Sequence, residues 1–80
     1  MFHYVYILKS QSNPKQTYVG FTTNLRQRIA QHNAGQSTHT AKHCPWQIQT
    51  AIAVNSKAKA LALEKYLKSH SGKAFTSKHL

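Results

Sequence analysis

Acidic side chains are almost absent from this 80-residue sequence, in which Glu64 is the single carboxylate beside 11 lysines and arginines. One acid cannot form the carboxylate pair of a glycosidase. It also cannot supply the several ligands of a two-metal phosphodiester site or an EF-hand loop. The net charge of +10 makes the compact chain repel itself, and an anionic partner would relieve that repulsion. The charge therefore predicts contact with nucleic acid, the alternative being a generic basic protein such as one associated with ribosomes.

Paired cysteines, long apolar runs and a leader segment are also missing. Cys44 is the only cysteine and cannot form an internal disulfide, which is typical of an intracellular protein. No apolar run approaches the ~20 residues of a membrane span, and the N-terminus lacks the apolar stretch of a signal peptide. We therefore expect a cytoplasmic protein without membrane contact, folded as one domain over residues 1–80.

Strand and helix signals follow one another in an order that predicts the fold class. Aromatic and β-branched runs indicate strands, and Ala-, Leu- and Lys-rich runs after capping residues indicate helices. The predicted strands are Phe2–Lys9, Thr17–Phe21 and Trp46–Val54, and the predicted helices are Asn24–Ala34 and a segment from Asn55 or Ser56 to about Ser69. The tail 73–80 is predicted to add one or two helical turns. The order ββαβα(α) predicts an α+β fold, with a small, mostly antiparallel sheet flanked by helices.

Small and capping residues refine these boundaries. Thr22 and Thr23 are candidate N-caps of the first helix, and Gly35 is a candidate residue just past its C-terminus. Gly20 inside the second strand indicates a bulge or a close backbone approach. Gly72 is expected to end the second helix. Alternation along the third strand predicts three core-facing residues: Trp46, Ile48 and Ile52.

The first predicted helix separates its two arginines. At 100° per residue, Arg28 lies about 60° from Leu25, on the same face as Ile29 and His32, whereas Arg26 points toward solvent. A cation at the edge of a buried face is costly unless it has a partner or a task. The alternatives are an Arg28 whose stem packs while its charged end reaches solvent, or a functional arginine.

Glu64 lies in a comparable position on the second helix. It falls about 100° from Leu63, at the flank of the apolar stripe. It could form an intramolecular salt bridge with Arg28. In so basic a chain, it is also well placed to hold a divalent cation.

The motifs in both strands and both helices resemble those of the GIY-YIG nuclease superfamily. Val5-Tyr6-Ile7 and Tyr18-Val19-Gly20 match its two strand motifs, followed by Asn24-Leu25, by Arg28 and His32 on a helix, and by Glu64 on a later helix. The similarity covers nearly the whole chain. It is greatest to small stand-alone bacterial members and to the N-terminal cleavage module in the nuclease component of excinuclease ABC. Tyr4 occupies the glycine position of the first motif, and Thr76 or Ser77 stands where many members have an asparagine.

The resemblance implies a three-stranded antiparallel sheet and a set of site residues. By analogy, Tyr6 is the general base, Tyr18 positions water or phosphate, Arg28 stabilises charge on the phosphate, and His32 assists Tyr6 or the leaving group. Glu64 would bind a single Mg²⁺ or Mn²⁺. Without the motifs, both tyrosines would be interpreted as core or cross-strand aromatics. A tyrosine is a weak base at pH 7, and we expect the surrounding cations and metal to favour its phenolate.

Further basic residues are predicted to contact nucleic acid. A loop with His39, Lys42 and His43 would lie at the mouth of the site, and the other predicted contacts are Gly20, Lys68 and Lys73. A zinc site on His39, His43 and Cys44 is disfavoured because structural zinc takes four ligands. Trp46 is expected in the core, with base stacking as its alternative.

These observations predict a metal-dependent endonuclease that hydrolyses DNA. The rival hypothesis is a nucleic-acid-binding module that is not catalytic, or that is active only with a protein partner which also supplies specificity. The short chain favours the rival, because family nucleases usually gain specificity from a separate DNA-binding domain. The five site residues Tyr6, Tyr18, Arg28, His32 and Glu64 favour the enzyme.

Overall fold

The computed structural model describes residues 1–80 and confirms the predicted α+β class. A three-stranded sheet and three helices follow one another in the predicted order. The strands are β1 (His3–Ser10), β2 (Thr17–Thr22) and β3 (Trp46–Val54), and the helices are α1 (Leu25–Asn33), α2 (Lys57–Lys68) and α3 (His70–His79). A short 3-10 turn at Ala41–His43 lies between α1 and β3. None of the helices is long and apolar enough to cross a membrane.

The central strand β1 contributes side chains to the core on both faces of the sheet. The strand order is β2-β1-β3, with both pairings antiparallel. Val5 and Ile7 pack with Ala60 and Leu67 of α2 on one face. Tyr6 and Leu8 pack with Trp46 on the other face, against α1. This division follows the predicted period of two along β1, and it places Tyr6 between the sheet and α1.

A bulge in β3 overturns one predicted core position. Ile7 pairs with Thr50 and Leu8 pairs with Ile48, so Gln49 is an extra residue between them. The extra residue reverses the alternation, which leaves Ile52 opposite Val5 on the α2 face and Ile48 opposite Leu8 on the α1 face. Trp46 is buried as predicted, but Ile48 is 44% exposed because it lies on an edge strand beside the margin of α1.

The caps of α1 differ by one or two residues from the prediction. Asn24 is the N-cap, and its side chain accepts a hydrogen bond from the backbone N–H of Gln27 at 3.1 Å. Thr22 instead accepts from the backbone N–H of Asn24, at 3.1 Å, and prepares the turn into the helix. Gly35 follows the helix with a φ of +76°, the left-handed conformation expected of a glycine just past a helix C-terminus.

The second and third helices meet at Ser69, and not at Gly72 as predicted. Ser56 caps α2, and Ser69 caps α3 by accepting a hydrogen bond from the backbone N–H of Gly72 at 3.1 Å. Gly72 is buried inside α3, where an added Cβ would overlap the backbone of Tyr66 and Leu67. Glycine therefore permits the close packing of α3 against the end of α2, and the predicted one or two turns become a ten-residue helix.

Candidate active site

A chain of hydrogen bonds runs from the centre of the sheet into the loop after α1. The Tyr6 hydroxyl lies 2.9 Å from His32 Nε2, and His32 Nδ1 lies 2.7 Å from Thr40 Oγ1. Tyr6 projects from the middle of β1, and His32 projects from the last turn of α1. His32 and Thr40 are fully buried, as the helical wheel predicted for His32, and Tyr6 is 1% exposed. The phenol, the imidazole and the threonine hydroxyl thus form a continuous buried array.

Tyr18 completes an aromatic cluster around this array. Its ring lies 5.1 Å from the His32 ring and 6.4 Å from the Tyr6 ring, measured between centroids. Tyr18 projects from β2 on the same face as Tyr6, and it is only partly buried. The ammonium group of Lys68 lies 5.9 Å from the centre of the Tyr18 ring, within cation–π range. Tyr18 therefore connects the buried array to the basic surface of α2.

Gly20 is the β2 residue directly opposite Tyr6, and it lies beneath the phenol ring. A Cβ at this position would overlap the Tyr6 hydroxyl and the ring carbon that carries it. Of the two predicted explanations for Gly20, the close approach is confirmed, and the bulge is wrong because the pairing is regular here. Because Gly20 is buried, its contribution is the space it leaves for the Tyr6 ring and not a contact surface for nucleic acid.

Substituting alanine for Gly20 is therefore expected to move the Tyr6 ring and lengthen its hydrogen bond to His32. Overpacking of a closely packed site typically costs ~1–3 kcal/mol. Denaturant unfolding and the Tyr6 ring resonances in an NMR spectrum would measure both effects. Alanine at Gly35 is a suitable control, since that glycine has no neighbour within 4 Å and the substitution affects only backbone strain. Unchanged Tyr6 resonances in Gly20→Ala would contradict this explanation of the glycine.

Burial shifts the pKa values of both hydrogen-bonded groups. Burial raises the pKa of Tyr6 above its usual 10.0, while the nearby Arg28 opposes this shift and Tyr18 and Glu64 reinforce it. Burial also lowers the pKa of His32, and the positive charge of Arg28 adds to that shift. The expectation that surrounding cations favour the phenolate is therefore wrong for the protein alone, since burial outweighs them. Near pH 7 the pair is a neutral phenol and a neutral imidazole.

Arg28 lies at the edge of this cluster and has no carboxylate partner. Its Nη1 donates a hydrogen bond to Gln31 Oε1 at 3.0 Å, one turn further along α1. Its charge acts on both Tyr6 and His32, as their pKa shifts indicate. Arg26 is exposed, so the different orientation predicted for the two arginines is confirmed. The guanidinium group of Arg28 is thus available to an anion that approaches the Tyr6–His32 pair.

The only carboxylate lies across the same cluster, on α2. Glu64 is partly buried and forms an ion pair with Lys68, at 3.3 Å between Oε2 and Nζ. The alternative in which Glu64 pairs with Arg28 is wrong, because Lys68 one turn away on α2 is its partner. Glu64 nevertheless contributes to the raised pKa of Tyr6 and so lies within electrostatic range of the phenol.

The available donors fit one kind of metal site. No three His, Cys, Asp or Glu side chains converge as a metal-binding group. A single carboxylate near the cluster suits Mg²⁺ or Mn²⁺, hard ions that can take their remaining ligands from water and phosphate. It does not suit a metal that needs a protein cage.

A cleft opens from Tyr18 toward the C-terminal helix. It has a volume of about 660 Å³, and its floor is apolar. Lys68 and Lys73 contribute the positive charge at its walls, and Thr76 and Ser77 contribute hydroxyl groups. Two of the residues predicted to contact nucleic acid, Lys68 and Lys73, thus line a single surface that begins at Tyr18.

The basic loop after α1 is placed differently from these lysines. His39 and Lys42 are exposed, whereas His43 is partly buried, with its ring edge-on to Trp46 at a centroid distance of 6.3 Å. The backbone carbonyl of His43 accepts a 2.6 Å hydrogen bond from the Ser10 hydroxyl. His43 therefore has a structural environment, and only His39 and Lys42 present free side chains from this loop.

Sequence reasoning missed Thr40 and Asn33, which join the loop to the rest of the site. Asn33 makes two hydrogen bonds to the backbone of Trp46, accepting at 2.6 Å and donating at 3.1 Å. The Trp46 indole N–H donates to the carbonyl oxygen of Thr40 at 2.8 Å. A buried tryptophan needs an acceptor for that N–H, which is the one sequence signal that a polar loop must return over the core. Nothing in the sequence indicates that the acceptor is Thr40.

Comparison with known proteins agrees with this architecture. Residues 2–78 match the GIY-YIG catalytic domain. A UPF0213 protein of Staphylococcus haemolyticus is 39% identical over 70 residues, covering 86% of this chain and 83% of the relative. The solution NMR structure of a UPF0213 protein from Bacillus halodurans covers 98% of this chain and 84% of the other, with a TM-score of 0.58 and 31% identity.

A second group of relatives is larger. A structure-specific endonuclease subunit SLX1 homolog of Giardia intestinalis is 35% identical over 65 residues, which cover 76% of this chain. The same match spans only 18% of that relative's length. The predicted likeness to the nuclease component of excinuclease ABC is a finer statement and stays a prediction. With its fold, its cluster of Tyr6, Tyr18 and His32, and a match over residues 2–78, the chain belongs to the GIY-YIG family of nuclease domains.

Proposed function

We propose that this protein is a metal-dependent endonuclease that hydrolyses phosphodiester bonds in DNA. The observation that carries the proposal is the 2.9 Å contact between the Tyr6 hydroxyl and His32 Nε2, with an unpaired Arg28 and the only carboxylate acting on the same phenol. Family membership and the SLX1 relative, whose name describes a structure-specific endonuclease subunit, support the same reaction class.

Tyr6 and His32 would act together as the general base. A neutral phenol cannot remove a proton from water, but it can receive one while passing its own proton to a neutral imidazole. The attacking water would give its proton to the Tyr6 oxygen as the Tyr6 proton moves to His32 Nε2. The water oxygen then forms the new bond to phosphorus, and the bond to the leaving oxygen breaks. The lowered pKa of His32 keeps its imidazole unprotonated and ready to accept at neutral pH.

Arg28 and Tyr18 would hold the phosphate on which this base acts. A guanidinium group presents paired N–H donors that match two phosphate oxygens, and it stabilises the charge that develops in the transition state. Arg28 has no carboxylate partner to compete with the phosphate. Tyr18, partly buried beside His32, can direct its hydroxyl toward water or a phosphate oxygen.

Glu64 would hold the single divalent ion. When bound, such an ion supplies positive charge to the phosphate oxygens and to the leaving group. Binding requires Glu64 to leave Lys68 or to share its second oxygen, and either costs little because an ion pair at the protein surface is weak. Lys68 is then free to contact the substrate backbone.

One observation favours the rival function, a module that is active only with a partner. Tyr6 is almost completely buried in the isolated chain, so attacking water reaches its hydroxyl only if the cluster opens. The SLX1 relative is by name a subunit of an endonuclease. In this alternative, a protein partner opens the cluster and supplies specificity, and the isolated domain binds DNA without cutting it.

Both functions require binding through phosphates, which predicts a strong dependence on salt. Contact with about four phosphates would give a log–log slope of affinity against salt near −3.6. We expect Lys73→Ala, in the cleft, to reduce that slope by about 1. Lys78→Ala is the matched control, because Lys78 lies on the same helix but does not line the cleft. Fluorescence anisotropy with labelled DNA measures both slopes, and a wild-type slope near zero would contradict nucleic-acid binding altogether.

A further inference from the structure

We propose that Thr40 is a positioning residue that fixes the tautomer of His32, so that Nε2 is the proton acceptor facing Tyr6. The proposal rests on the proposed function, since it gives this hydrogen bond a role in the general-base step. It is argued from the geometry of the buried array and concerns a residue with no assigned role.

The two hydrogen bonds of the imidazole are mutually dependent. A neutral imidazole has one N–H donor and one acceptor nitrogen. His32 has a hydroxyl on each side, Tyr6 at 2.9 Å from Nε2 and Thr40 at 2.7 Å from Nδ1. If Nδ1–H donates to Thr40, then Nε2 must accept from Tyr6, which is the arrangement a base needs. The reverse arrangement would have Nε2–H donate to Tyr6, and His32 could then take no proton from it.

The backbone of Thr40 is anchored from several directions. Its carbonyl oxygen accepts hydrogen bonds from the Trp46 indole at 2.8 Å and from Cys44 Sγ at 3.5 Å. Its backbone N–H donates to the carbonyl oxygen of Ser37 at 3.2 Å. Cys44 also donates to the carbonyl oxygen of His32 at 3.0 Å, which joins the loop directly to the end of α1. The Thr40 hydroxyl is thus delivered to Nδ1 by a fixed backbone.

The chemistry of a hydroxyl partner differs from that of a carboxylate. A carboxylate at Nδ1 would stabilise the imidazolium and raise the pKa of His32, whereas a neutral hydroxyl orients the ring without adding charge. The ionisable groups around His32 are Tyr6 from β1, Tyr18 from β2 and Arg28 on α1 itself, and none of them is a carboxylic acid. Thr40 therefore orients a histidine that stays neutral in the resting protein.

Two substitutions of Thr40 test this role. Thr40→Val keeps the shape but removes the acceptor, and Thr40→Ser keeps the hydroxyl. Nitrogen-15 NMR of histidine-labelled protein reports the tautomer directly and needs no activity. We expect wild type and Thr40→Ser to carry the proton on Nδ1 of His32, and Thr40→Val to shift toward the Nε2–H form. We expect kcat to fall about 10- to 100-fold in Thr40→Val, with KM little changed and serine restoring the rate.

The outcomes separate positioning from simple structural support. An unchanged His32 tautomer in Thr40→Val would overturn the proposal, as would a wild type with its proton on Nε2. A fall in melting temperature that is equal in the valine and serine variants, without a tautomer change, would also overturn it. If the wild type cuts no substrate, the proposed function fails while the tautomer result still decides the role of Thr40. A tautomer shift with a fall in kcat confined to the valine variant supports both.

Discussion

Substituting alanine for Arg28 is expected to lower the rate of cleavage by about 10²–10³-fold, the usual loss when a charge donor to the transition state is removed. The guanidinium group lies beside the Tyr6–His32 pair and has no carboxylate partner, so its charge is available to the phosphate. Its one hydrogen bond within the protein joins it to Gln31 on the surface of α1. Folding should therefore change little, and DNA binding should weaken only modestly.

Arg26→Ala is the matched control for that experiment. Arg26 lies on the same helix, carries the same charge and is exposed. We expect it to reduce binding by a small, salt-sensitive amount and to leave kcat nearly unchanged. Single-turnover cleavage at saturating protein separates the two effects. Equal losses of kcat in the two variants would mean that Arg28 acts only through general positive charge.

Replacing Glu64 by glutamine is expected to abolish both metal binding and cleavage. Glu64 is the only carboxylate side chain in the sequence, so no neighbouring acid can replace it. Glutamine keeps the shape but removes the charge that attracts a divalent ion. Calorimetric titration with Mn²⁺ measures binding without depending on activity. Metal-free DNA binding should persist or tighten, because the variant loses the protein's one acidic side chain.

The structure also predicts that Glu64→Gln changes stability very little. The broken ion pair with Lys68 is a helical pair one turn apart at the surface, of a kind worth ~0.3–0.5 kcal/mol. Lys68→Gln is the control for losing this pair, and it should leave Mn²⁺ binding intact. Metal binding that persists unchanged in Glu64→Gln would exclude the proposed site. A large fall in melting temperature would instead indicate that Glu64 has a structural role.

The parts of the fold that follow from local patterns were predictable. Period two along β1 separates Tyr6 from Val5, and the helical wheel separates Arg28 from Arg26, because both depend only on backbone geometry. The left-handed residue at Gly35 follows in the same way from its lack of a side chain.

The parts that depend on contacts between distant segments were not predictable. The β3 bulge that exposes Ile48 arises from pairing with β1, and alternation along β3 alone contains no sign of it. Gly72 resembles a helix terminator until α2 is packed against it. Thr40 stands in a polar run typical of a loop, and only the folded chain brings it to His32. The raised pKa of Tyr6 likewise follows from burial, which the net charge of the sequence does not reveal.

Cleavage of DNA by the isolated protein with a divalent ion is the core of the proposed function, and one assay tests it directly. Purified protein is incubated with labelled duplex, flap, branched and single-stranded DNA in Mg²⁺, Mn²⁺ or EDTA, with Arg28→Ala prepared in parallel. We predict cleavage of at least one substrate with metal, none in EDTA, and a loss of about 10²-fold or more in the variant. Substrates that are bound but left uncut under every condition, or cut equally well in EDTA, would contradict the proposed function.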